Sequence, residues 1–313
     1  MEQVVLGRTG LGVSVVGLGC GGDSHLGLDT GGTIEQALRV IRRASELGVT
    51  YFDTADEYGT EEIVGRALAP VRDEVVISTK SKPLRADGSL LSATELQENI
   101  HESLRRLQTD HVELFFLHMV RQRNYQYCLD ELLPVLNDLV AAGTIGHIGI
   151  TEGSRSDPVH SMLVNAVEDD AWEVMMLAFN PFNQSARQLL LTRAIHKKIG
   201  IDVMCAARGP FSHPDEMRSV IASLFASGAL SDTAIDREDP LGFVIHHGGA
   251  ASVIDAAYRY ARHEPGCHVV LTGTGNLAHL EQNIVSINSG PLPTADVALL
   301  ERYFGSLQRT TKD

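Results

Sequence analysis

Apolar, β-branched segments alternate with amphipathic segments along most of this chain. Most of the apolar segments lack a strict alternation of apolar and polar residues, which is typical of strands buried on both faces of a parallel sheet. The pattern therefore predicts an α/β protein. Eight apolar segments predict strands, and they begin at Val15, Val49, Val75, Val112, Ile145, Val174, Gly200 and His268.

The amphipathic segments between these strands predict helices. In residues 91–107, leucine and isoleucine recur every three or four positions, and Ser92 with Glu95 has the spacing of a capping box. Two further segments end at Gly48 and Gly143, where a left-handed residue commonly terminates a helix. Strands and helices thus follow each other in regular alternation.

Eight strands that are each followed by a helix match a (β/α)8 TIM barrel. A doubly wound open sheet is the main alternative. Its dinucleotide-binding loop would have to be the glycine-rich residues 17–22, and an isolated glycine cluster is a weak signal for such a loop. We therefore predict the barrel.

Two further features complete the predicted organisation. A short N-terminal β-hairpin over about residues 3–15, with its turn at Arg8, Thr9 and Gly10, is expected to close the bottom of the barrel. A long polar loop is expected over about residues 231–249. Since no shift in composition marks a boundary, residues 1–313 are predicted to form a single domain.

Four polar residues stand at or near the ends of neighbouring predicted strands. Asp53 ends the second strand, Tyr58 follows in its loop, Lys80 ends the third strand and His118 ends the fourth. Taken singly, the aspartate could cap a turn, the lysine could lie on the surface and the histidine could belong to the core. Because the active site of a barrel forms at the carboxyl ends of its strands, we expect all four to converge there.

These residue types together suit proton transfer. Tyrosine has an unperturbed pKa of about 10, so its phenolate must be stabilised before it can act as an acid or base near neutrality. The ammonium group of Lys80 would do this, and the carboxylate of Asp53 would hold that ammonium charged. A neutral His118 could donate a hydrogen bond to a carbonyl oxygen. We expect Asp56 and Glu57 to form only the solvated part of the loop.

The segments FDTADEYG, EEIVGRAL, VVISTK, ELFFLH and GTIGHIGIT occur in this order, and together they resemble the aldo-keto reductase family. The resemblance implies a (β/α)8 barrel that interconverts a carbonyl and an alcohol with NADPH or NADH. It also implies that Tyr58 is the proton donor, that Lys80 and Asp53 modulate it, and that His118 orients the carbonyl.

The half of the chain that would bind the cofactor departs from the family pattern. Thr151 and Glu152 stand where the family usually has a serine and an asparagine that hold the nicotinamide carboxamide. Met176 replaces a glutamine with the same role. Ala206 replaces the aromatic residue that stacks on the nicotinamide ring, and Arg208 follows it.

The segment 271–283 resembles the family's site for the adenosine 2′-phosphate. Gly273 and His279 occupy places that are usually basic, whereas Asn283, which would contact the adenine, is kept. The resemblance implies that one edge of the cofactor site, the cofactor rim, is made of Gly273, Thr274, Gly275, Asn276, His279 and Asn283. It also implies that Thr151, Glu152 and Arg208 bind the cofactor outside this rim. A 2′-phosphate favours arginine or lysine, so we expect NADH to be used as well as, or better than, NADPH.

Two other functions remain open at the level of sequence. A lyase could use Lys80 to form a Schiff base, although a carboxylate partner such as Asp53 would keep the lysine protonated. A cofactor-sensing or regulatory barrel with little turnover would explain the altered nicotinamide contacts. Residues 23–25, Met119 and Arg121 are further candidates for lining a substrate pocket.

Composition excludes several classes of partner. The net charge is −14, which disfavours nucleic acids and anionic membranes as partners. The four cysteines are scattered, and His246 and His247 lack a metal-ligand motif, so we expect neither disulfides nor a metal site. No signal peptide and no run of about 18 apolar residues is found. The sequence predicts a cytoplasmic protein that acts on a small carbonyl substrate.

Overall fold

The structure is a computed structural model that describes residues 1–22, 24–231 and 235–307. A two-stranded antiparallel sheet of β1 and β2 precedes a closed barrel of parallel strands in the order β10-β3-β4-β5-β6-β7-β8-β9. The predicted barrel and all of its predicted strands are thereby confirmed. The strands are β1 (Gln3–Val5), β2 (Gly12–Ser14), β3 (Val16–Gly19), β4 (Tyr51–Asp53), β5 (Val76–Ser81), β6 (Val112–Val120), β7 (Ile145–Glu152), β8 (Val174–Ala178), β9 (Gly200–Met204) and β10 (Val269–Thr272).

Helices alternate with the barrel strands and cover their outer faces. They are α1 (Ile34–Glu46), α2 (Glu61–Leu68), α3 (Ala93–Leu107), α4 (Tyr125–Tyr127), α5 (Leu133–Ala141), α6 (Ser161–Ala166), α7 (Thr192–Lys197), α8 (Pro214–Ala226), α9 (Val253–Arg262), α10 (Leu277–Ile287) and α11 (Thr294–Phe304). The π-helical turns Cys128–Leu132 and Arg187–Leu191 lead into α5 and α7. Helix α11 follows α10 without an intervening strand, and the hydrophobic pattern did not predict it.

Local sequence signals set several helix ends as predicted. The Ser92 hydroxyl accepts a hydrogen bond from the backbone N–H of Glu95, and the Glu95 carboxylate accepts one from the backbone N–H of Ser92, which forms the capping box of α3. Gly48 and Gly143 follow α1 and α5 with φ angles of +89° and +75°. In this left-handed region glycine avoids the steric cost that a Cβ atom would add.

The N-terminal hairpin closes the amino-terminal opening of the barrel, as predicted. Gln3 pairs with Ser14, and the turn between the strands ends at Gly10. Leu6 and Val13 pack with residues inside the barrel, and the backbone N–H of Arg8 donates to the carbonyl of Lys198 at 2.6 Å. The opposite, carboxyl end of the barrel is left for the functional site.

The open-sheet alternative is wrong because the strands form a closed barrel. Gly17, Gly19 and Gly22 do stand at the spacing of a dinucleotide-binding loop. Helix α1, however, begins only at Ile34, after an irregular loop with a 3-10 turn. The glycines therefore do not open directly onto a helix N-terminus, as that loop requires.

Part of the predicted long loop packs against the barrel. Leu241 and Val244 are buried, and His246 Nε2 lies 3.0 Å from the carboxylate of Asp296 on α11. Residues 232–234 of this loop lie outside the described residues. Along the described parts of the chain, none of the helices has the length and apolar character needed to cross a bilayer.

Candidate active site

The turn after β4 carries two of the four predicted catalytic residues to the carboxyl end of the barrel. Asp53 is the last residue of β4, and a 3-10 turn over Asp56–Tyr58 follows it. The turn ends at Gly59, which adopts a left-handed conformation with φ of +68°. Tyr58 is thereby placed above the strand ends.

Lys80 lies inside β5 rather than at its end, and its ammonium group is completely buried. Nζ donates to the Asp53 carboxylate and to the carbonyl oxygen of Thr54, each at 2.7 Å. The other carboxylate oxygen of Asp53 accepts a hydrogen bond from the Ser78 hydroxyl at 2.7 Å. A buried ion pair is tolerated only when such additional bonds satisfy its remaining polar atoms.

Tyr58 stands between Lys80 and His118. The Lys80 ammonium lies 5.0 Å from the centre of the Tyr58 ring, and the Tyr58 hydroxyl lies 3.4 Å from Nε2 of His118. The Tyr58 and His118 rings are nearly perpendicular, with an interplanar angle of 86°. All four predicted catalytic side chains are therefore brought together.

Burial and charge act in opposite directions on these groups. Burial raises the pKa of Tyr58, Lys80 pulls it down, and Asp53 raises it further, with a net rise. Burial alone would lower the pKa of Lys80, but the attraction of Asp53 and Tyr58 outweighs it and the net pKa is raised. At neutral pH this arrangement pairs a protonated tyrosine with a charged lysine.

A bulge in β6 aims His118 at Tyr58. The pairing of β6 with β7 shifts register between Leu117 and Val120, and Met119 adopts a positive φ of +51°. The backbone N–H of Met119 donates to the Thr151 hydroxyl at 2.8 Å, which holds the bulge. Burial lowers the pKa of His118, although the carboxylate of Glu57 opposes this effect.

Glu57 is exposed, as expected for the solvated part of the loop, but it also contacts His118, which was not predicted. Its Oε1 lies 3.2 Å from Nδ1 of His118, and its Oε2 pairs with Lys82. Contact with His118, followed by contact with Lys82, lowers the pKa of Glu57 to about 2. Lys82 directly follows β5, which ends at Ser81.

The loop between β3 and α1 connects Tyr58 with the predicted cofactor rim. A Cβ atom on Gly21 would lie 2.4 Å from the Tyr58 ring, and a Cβ atom on Gly275 would lie 2.3 Å from the backbone of Gly27. The ring of His25 lies 6.1 Å from that of Tyr58, so His25 borders the site. Asp23, another predicted pocket residue, lies outside the described residues.

The two residues predicted to hold the nicotinamide carboxamide, Thr151 and Glu152, are both buried, and they differ in the contacts of their polar atoms. The Thr151 hydroxyl accepts from Met119 and keeps its own O–H to donate. Glu152 is 1% exposed, and its two oxygens contact the Ala178 N–H at 2.9 Å and the His160 ring at 2.7 Å. This carboxylate is enclosed between β8 and the segment that precedes α6, and its contact with the cofactor stays a prediction.

The rim that begins at Gly273 is exposed at the N-terminus of α10. The Asn276 side chain caps the helix by accepting from the N–H groups of Ala278 and His279, and the N–H of Asn276 donates to the Thr274 hydroxyl at 3.1 Å. Asn283 donates to the hydroxyl of Thr272 at 2.9 Å, which fixes its amide. The basic residue Arg43 on α1 is close, but it pairs with Glu281 at 2.8 Å.

These residues fit a dinucleotide cofactor at its phosphate end better than at its nicotinamide end. The positive end of α10 and the exposed hydroxyl and amide groups suit phosphate oxygens. Met176 and Ala206, in contrast, are buried, and Met176 packs inside the barrel. Arg208 lies in the segment after β9, with its guanidinium 4.0 Å from the Cys205 sulfur.

A further buried carboxyl group, that of Asp202, lies beneath the site, and no sequence pattern indicated it. The Tyr51 hydroxyl donates to Oδ2 of Asp202, while none of the described residues makes a hydrogen bond to Oδ1. Burial raises the pKa of Asp202 to about 8. Tyr51 and Asp202 are 151 positions apart, so only the closure of the barrel brings them together.

Comparison with known proteins relates nearly the whole chain to one family. Residues 18–303 match the model of the aldo/keto reductase family. The uncharacterized oxidoreductase YqkF of Bacillus subtilis is 26% identical over 315 residues, which cover 97% of this chain and 96% of that protein. The L-galactose dehydrogenase of Arabidopsis thaliana is 34% identical over 158 residues, which cover 48% of each chain.

Solved structures show the same fold. The holo form of aldo-keto reductase AKR11C1 from Bacillus halodurans has a TM-score of 0.75 and 20% identity, with 100% of both chains covered. An aldo-keto reductase from Klebsiella pneumoniae in complex with NADPH has a TM-score of 0.69 and 22% identity, with 100% of this chain and 99% of that chain covered.

The family match extends over nearly the whole barrel, and the predicted motifs lie within it. The chain therefore belongs to the aldo/keto reductase family, a family of NAD(P)-dependent oxidoreductases, as its sequence motifs predicted.

Proposed function

We propose that Tyr58 delivers a proton to the carbonyl oxygen of a small aldehyde or ketone while that carbonyl is reduced to an alcohol. The observation that carries this proposal is the position of the Lys80 ammonium, which is buried between the Asp53 carboxylate and the Tyr58 ring. A buried positive charge beside a phenol stabilises the phenolate that remains after the proton has left.

Each residue has a defined part in this scheme. The hydroxyl of Tyr58 breaks its O–H bond and protonates the substrate oxygen, and Lys80 balances the resulting negative charge. Asp53 keeps Lys80 charged, and Ser78 keeps Asp53 in place through their hydrogen bond. The nicotinamide cofactor, when bound, supplies the hydride, and its phosphates would be held at the rim that begins at Gly273.

The Schiff-base alternative is disfavoured by the state of Lys80. A lysine nucleophile must lose its proton, whereas the attraction of Asp53 and Tyr58 outweighs burial and raises the pKa of Lys80. If the proposal holds, borohydride treatment in the presence of a keto substrate leaves Lys80 unmodified. Covalent labelling of Lys80 would favour a lyase.

A carbonyl panel tests the proposed reaction. Aldehydes and ketones of different sizes are incubated with the protein and either NADH or NADPH, and oxidation of the cofactor is followed by absorbance. We expect carbonyl-dependent oxidation of at least one reduced cofactor. If the protein binds cofactor tightly but turns over no carbonyl in the panel, the sensor function is favoured instead.

We further propose that NADH is used as well as, or better than, NADPH. The rim from Gly273 to Asn283 contains no lysine or arginine, and the nearby Arg43 is paired with Glu281. A 2′-phosphate would therefore meet no fixed positive charge from the rim itself, and His279 is its only titratable cation.

Binding titrations with both cofactors test this preference. Tighter binding of NADPH by tenfold or more would contradict it. The substitution His279→Arg should tighten NADPH by roughly 10- to 100-fold, because a charge-assisted hydrogen bond contributes about 1.5–3 kcal/mol, and should leave NADH binding nearly unchanged. Gln282→Arg, which adds the same charge at an exposed position on α10, serves as the matched control.

A further inference from the structure

Asp202 is completely buried inside the barrel and has few polar neighbours. In the register of the sheet it stands between Met176 of β8 and Val269 of β10, which are both apolar and buried. Its Oδ2 accepts a hydrogen bond from the Tyr51 hydroxyl, and none of the described residues makes a hydrogen bond to its Oδ1. This carboxyl group is therefore poorly supplied with hydrogen-bond donors.

Such surroundings favour the protonated form of the carboxyl group. An ionised carboxylate can accept about four hydrogen bonds, and burying it with only one is costly. Burial raises the pKa of Asp202 to about 8, the bond from Tyr51 acts against this rise, and the charge of Asp53 adds to it. Asp202 is therefore neutral at pH 7 and ionises in the range just above it.

The groups that act electrostatically on Asp202 come from two strands. Tyr51 and Asp53 belong to β4 and Lys80 belongs to β5, whereas the flanking residues on β8 and β10 carry no charge. Asp53 acts to raise the pKa of Asp202, and Lys80 acts to lower it. Because interactions between titrating groups are mutual, the charge on Asp202 must in turn act on Asp53 and Lys80.

Two hydroxyl groups lie between Asp202 and Asp53. The Tyr51 hydroxyl donates to Asp202, and the Ser78 hydroxyl donates to Asp53 at 2.7 Å. Burial raises the pKa of Tyr51, and a contact between its hydroxyl and that of Ser78 acts against this rise. The two carboxyl groups are thus joined by a short path of polar side chains across β4 and β5.

We propose that Asp202 is a positioning residue that stays protonated during the reaction, so that Asp53 alone faces Lys80 and the ammonium charge remains available to Tyr58. This inference rests on the proposed function of Tyr58. If Asp202 ionised, two carboxylates would share one ammonium group. Their combined negative charge would raise the pKa of Tyr58 further and make its phenolate harder to form. The proton on Asp202 therefore sets the acidity of the proposed proton donor.

Infrared spectroscopy tests the protonation state of Asp202 without turnover. A protonated carboxyl group has a C=O stretching band that an ionised one lacks. In mildly acidic buffer, the difference spectrum between the wild type and Asp202→Asn should contain such a band, and the band should disappear as the pH is raised through about 8. Asp73→Asn, at an exposed position, is the control, and its difference spectrum should contain no such band. Absence of the band for Asp202 would overturn the proposal.

Carbon NMR tests whether this proton acts on Tyr58. Protein is labelled with ¹³C at the ζ-carbon of tyrosine, and the Tyr58 signal is assigned by its loss in Tyr58→Phe. In the wild type this signal should shift as the pH passes about 8, and the shift should be absent from both Asp202→Asn and Asp202→Leu. Tyr51→Phe removes a bond that acts to lower the pKa of Asp202, so it should move the shift to higher pH. A Tyr58 signal that moves equally in the wild type and Asp202→Asn would refute the coupling.

The pH dependence of carbonyl reduction supplies a third measurement. Loss of the Asp202 proton should lower kcat by roughly 3- to 10-fold, because a change of one pKa unit in the acid alters the rate by at most about tenfold. We expect this fall near pH 8 in the wild type and in Asp73→Asn but not in Asp202→Asn. A fall that persists in Asp202→Asn would contradict the proposal. If the NMR shift depends on Asp202 but no carbonyl is reduced, the proposed function alone fails.

Discussion

At the scale of single residues, the site depends on a charged group that has no contact with solvent. Lys80 is fully buried, and its ammonium is satisfied by Asp53 and the Thr54 carbonyl. Taking such a charge out of water is costly unless its partners remain in place. The same contacts that tune Tyr58 therefore also affect whether the barrel is stable.

Removal of one member of this pair should destabilise the protein strongly. Lys80→Met leaves the Asp53 carboxylate buried without its cation, and we expect a loss of about 3–5 kcal/mol in the free energy of unfolding, measured by denaturant titration. Lys82→Met, which breaks a partly exposed pair just after the same strand, should cost at most about 1 kcal/mol. In the double variant Asp53→Asn/Lys80→Met the loss should be smaller than in Lys80→Met. Equal stability of Lys80→Met and the wild type would refute this account of the pair.

The packing of Gly21 against Tyr58 leads to a catalytic prediction. A Cβ atom at this position would meet the ring at 2.4 Å, so Gly21→Ala must displace Tyr58. We expect kcat to fall by roughly 10²-fold, since small misplacements of catalytic groups have effects of this size. Gly12→Ala, where a Cβ atom meets nothing within 4 Å, is the control and should retain wild-type kcat. Wild-type turnover by Gly21→Ala would show that the position of Tyr58 is not critical.

The sequence indicated four catalytic candidates because their residue types and strand positions fit one reaction. It did not indicate Glu57, since a glutamate in a polar loop is usually solvated. Only the turn Asp56–Tyr58 and the register of β5 bring Glu57 between Lys82 and His118. The burial of Glu152 beside His160 likewise cannot be read from its place in a motif.

At the scale of elements, the barrel strands could be predicted because strands buried on both faces leave a continuous apolar signal. Helix ends were also predictable where capping residues or glycines mark them. The bulge at Met119 was not, because it depends on how β6 registers with β7. The π-helical turn Cys128–Leu132 was not predictable either, because it leaves the apolar spacing of its helix close to that of an ordinary α-helix.

The hairpin that closes the barrel provides a test at this scale. Leu6 is completely buried at the amino-terminal opening, so Leu6→Ala should lower the free energy of unfolding by roughly 2–5 kcal/mol. The kcat of the folded variant should stay near that of the wild type, because the hairpin lies at the end opposite Tyr58. Val5→Ala, at a position 56% exposed, is the matched control and should cost far less. A large loss of kcat in folded Leu6→Ala would show that the two ends are coupled.

At the scale of the whole molecule, barrel closure creates contacts that no local pattern contains. Asp202 and Tyr51 meet inside the barrel, and the second oxygen of Asp202 is buried without a hydrogen bond from any described residue. Strand order could be predicted from the fold class, but which interior side chains face each other depends on the shear of the closed sheet. The interior pair was therefore beyond sequence reasoning.

This pair should make stability depend on pH. Burial raises the pKa of Asp202 to about 8, against about 3.9 in an unfolded chain. The stability it contributes is fully present below pH 4 and is lost as pH rises toward 8, because the unfolded chain releases its proton first. Across this range the wild type should lose up to about 1.4 kcal/mol per pH unit relative to Asp202→Asn. Denaturant titrations at several pH values measure this difference in the free energy of unfolding. Asp73→Asn is the control for the loss of one charge. Parallel plots of unfolding free energy against pH for the wild type and Asp202→Asn would contradict the prediction.

The central claim is that Tyr58 is the proton donor of a reductase, and single-turnover kinetics of Tyr58→Phe test it most directly. Hydride transfer from preloaded reduced cofactor to a carbonyl substrate is followed after rapid mixing, and cofactor binding is measured separately by fluorescence. We predict that the rate falls by roughly 10²–10⁴-fold while the cofactor Kd stays within a few-fold of the wild type. A variant that transfers hydride at nearly the wild-type rate would contradict the assignment of Tyr58.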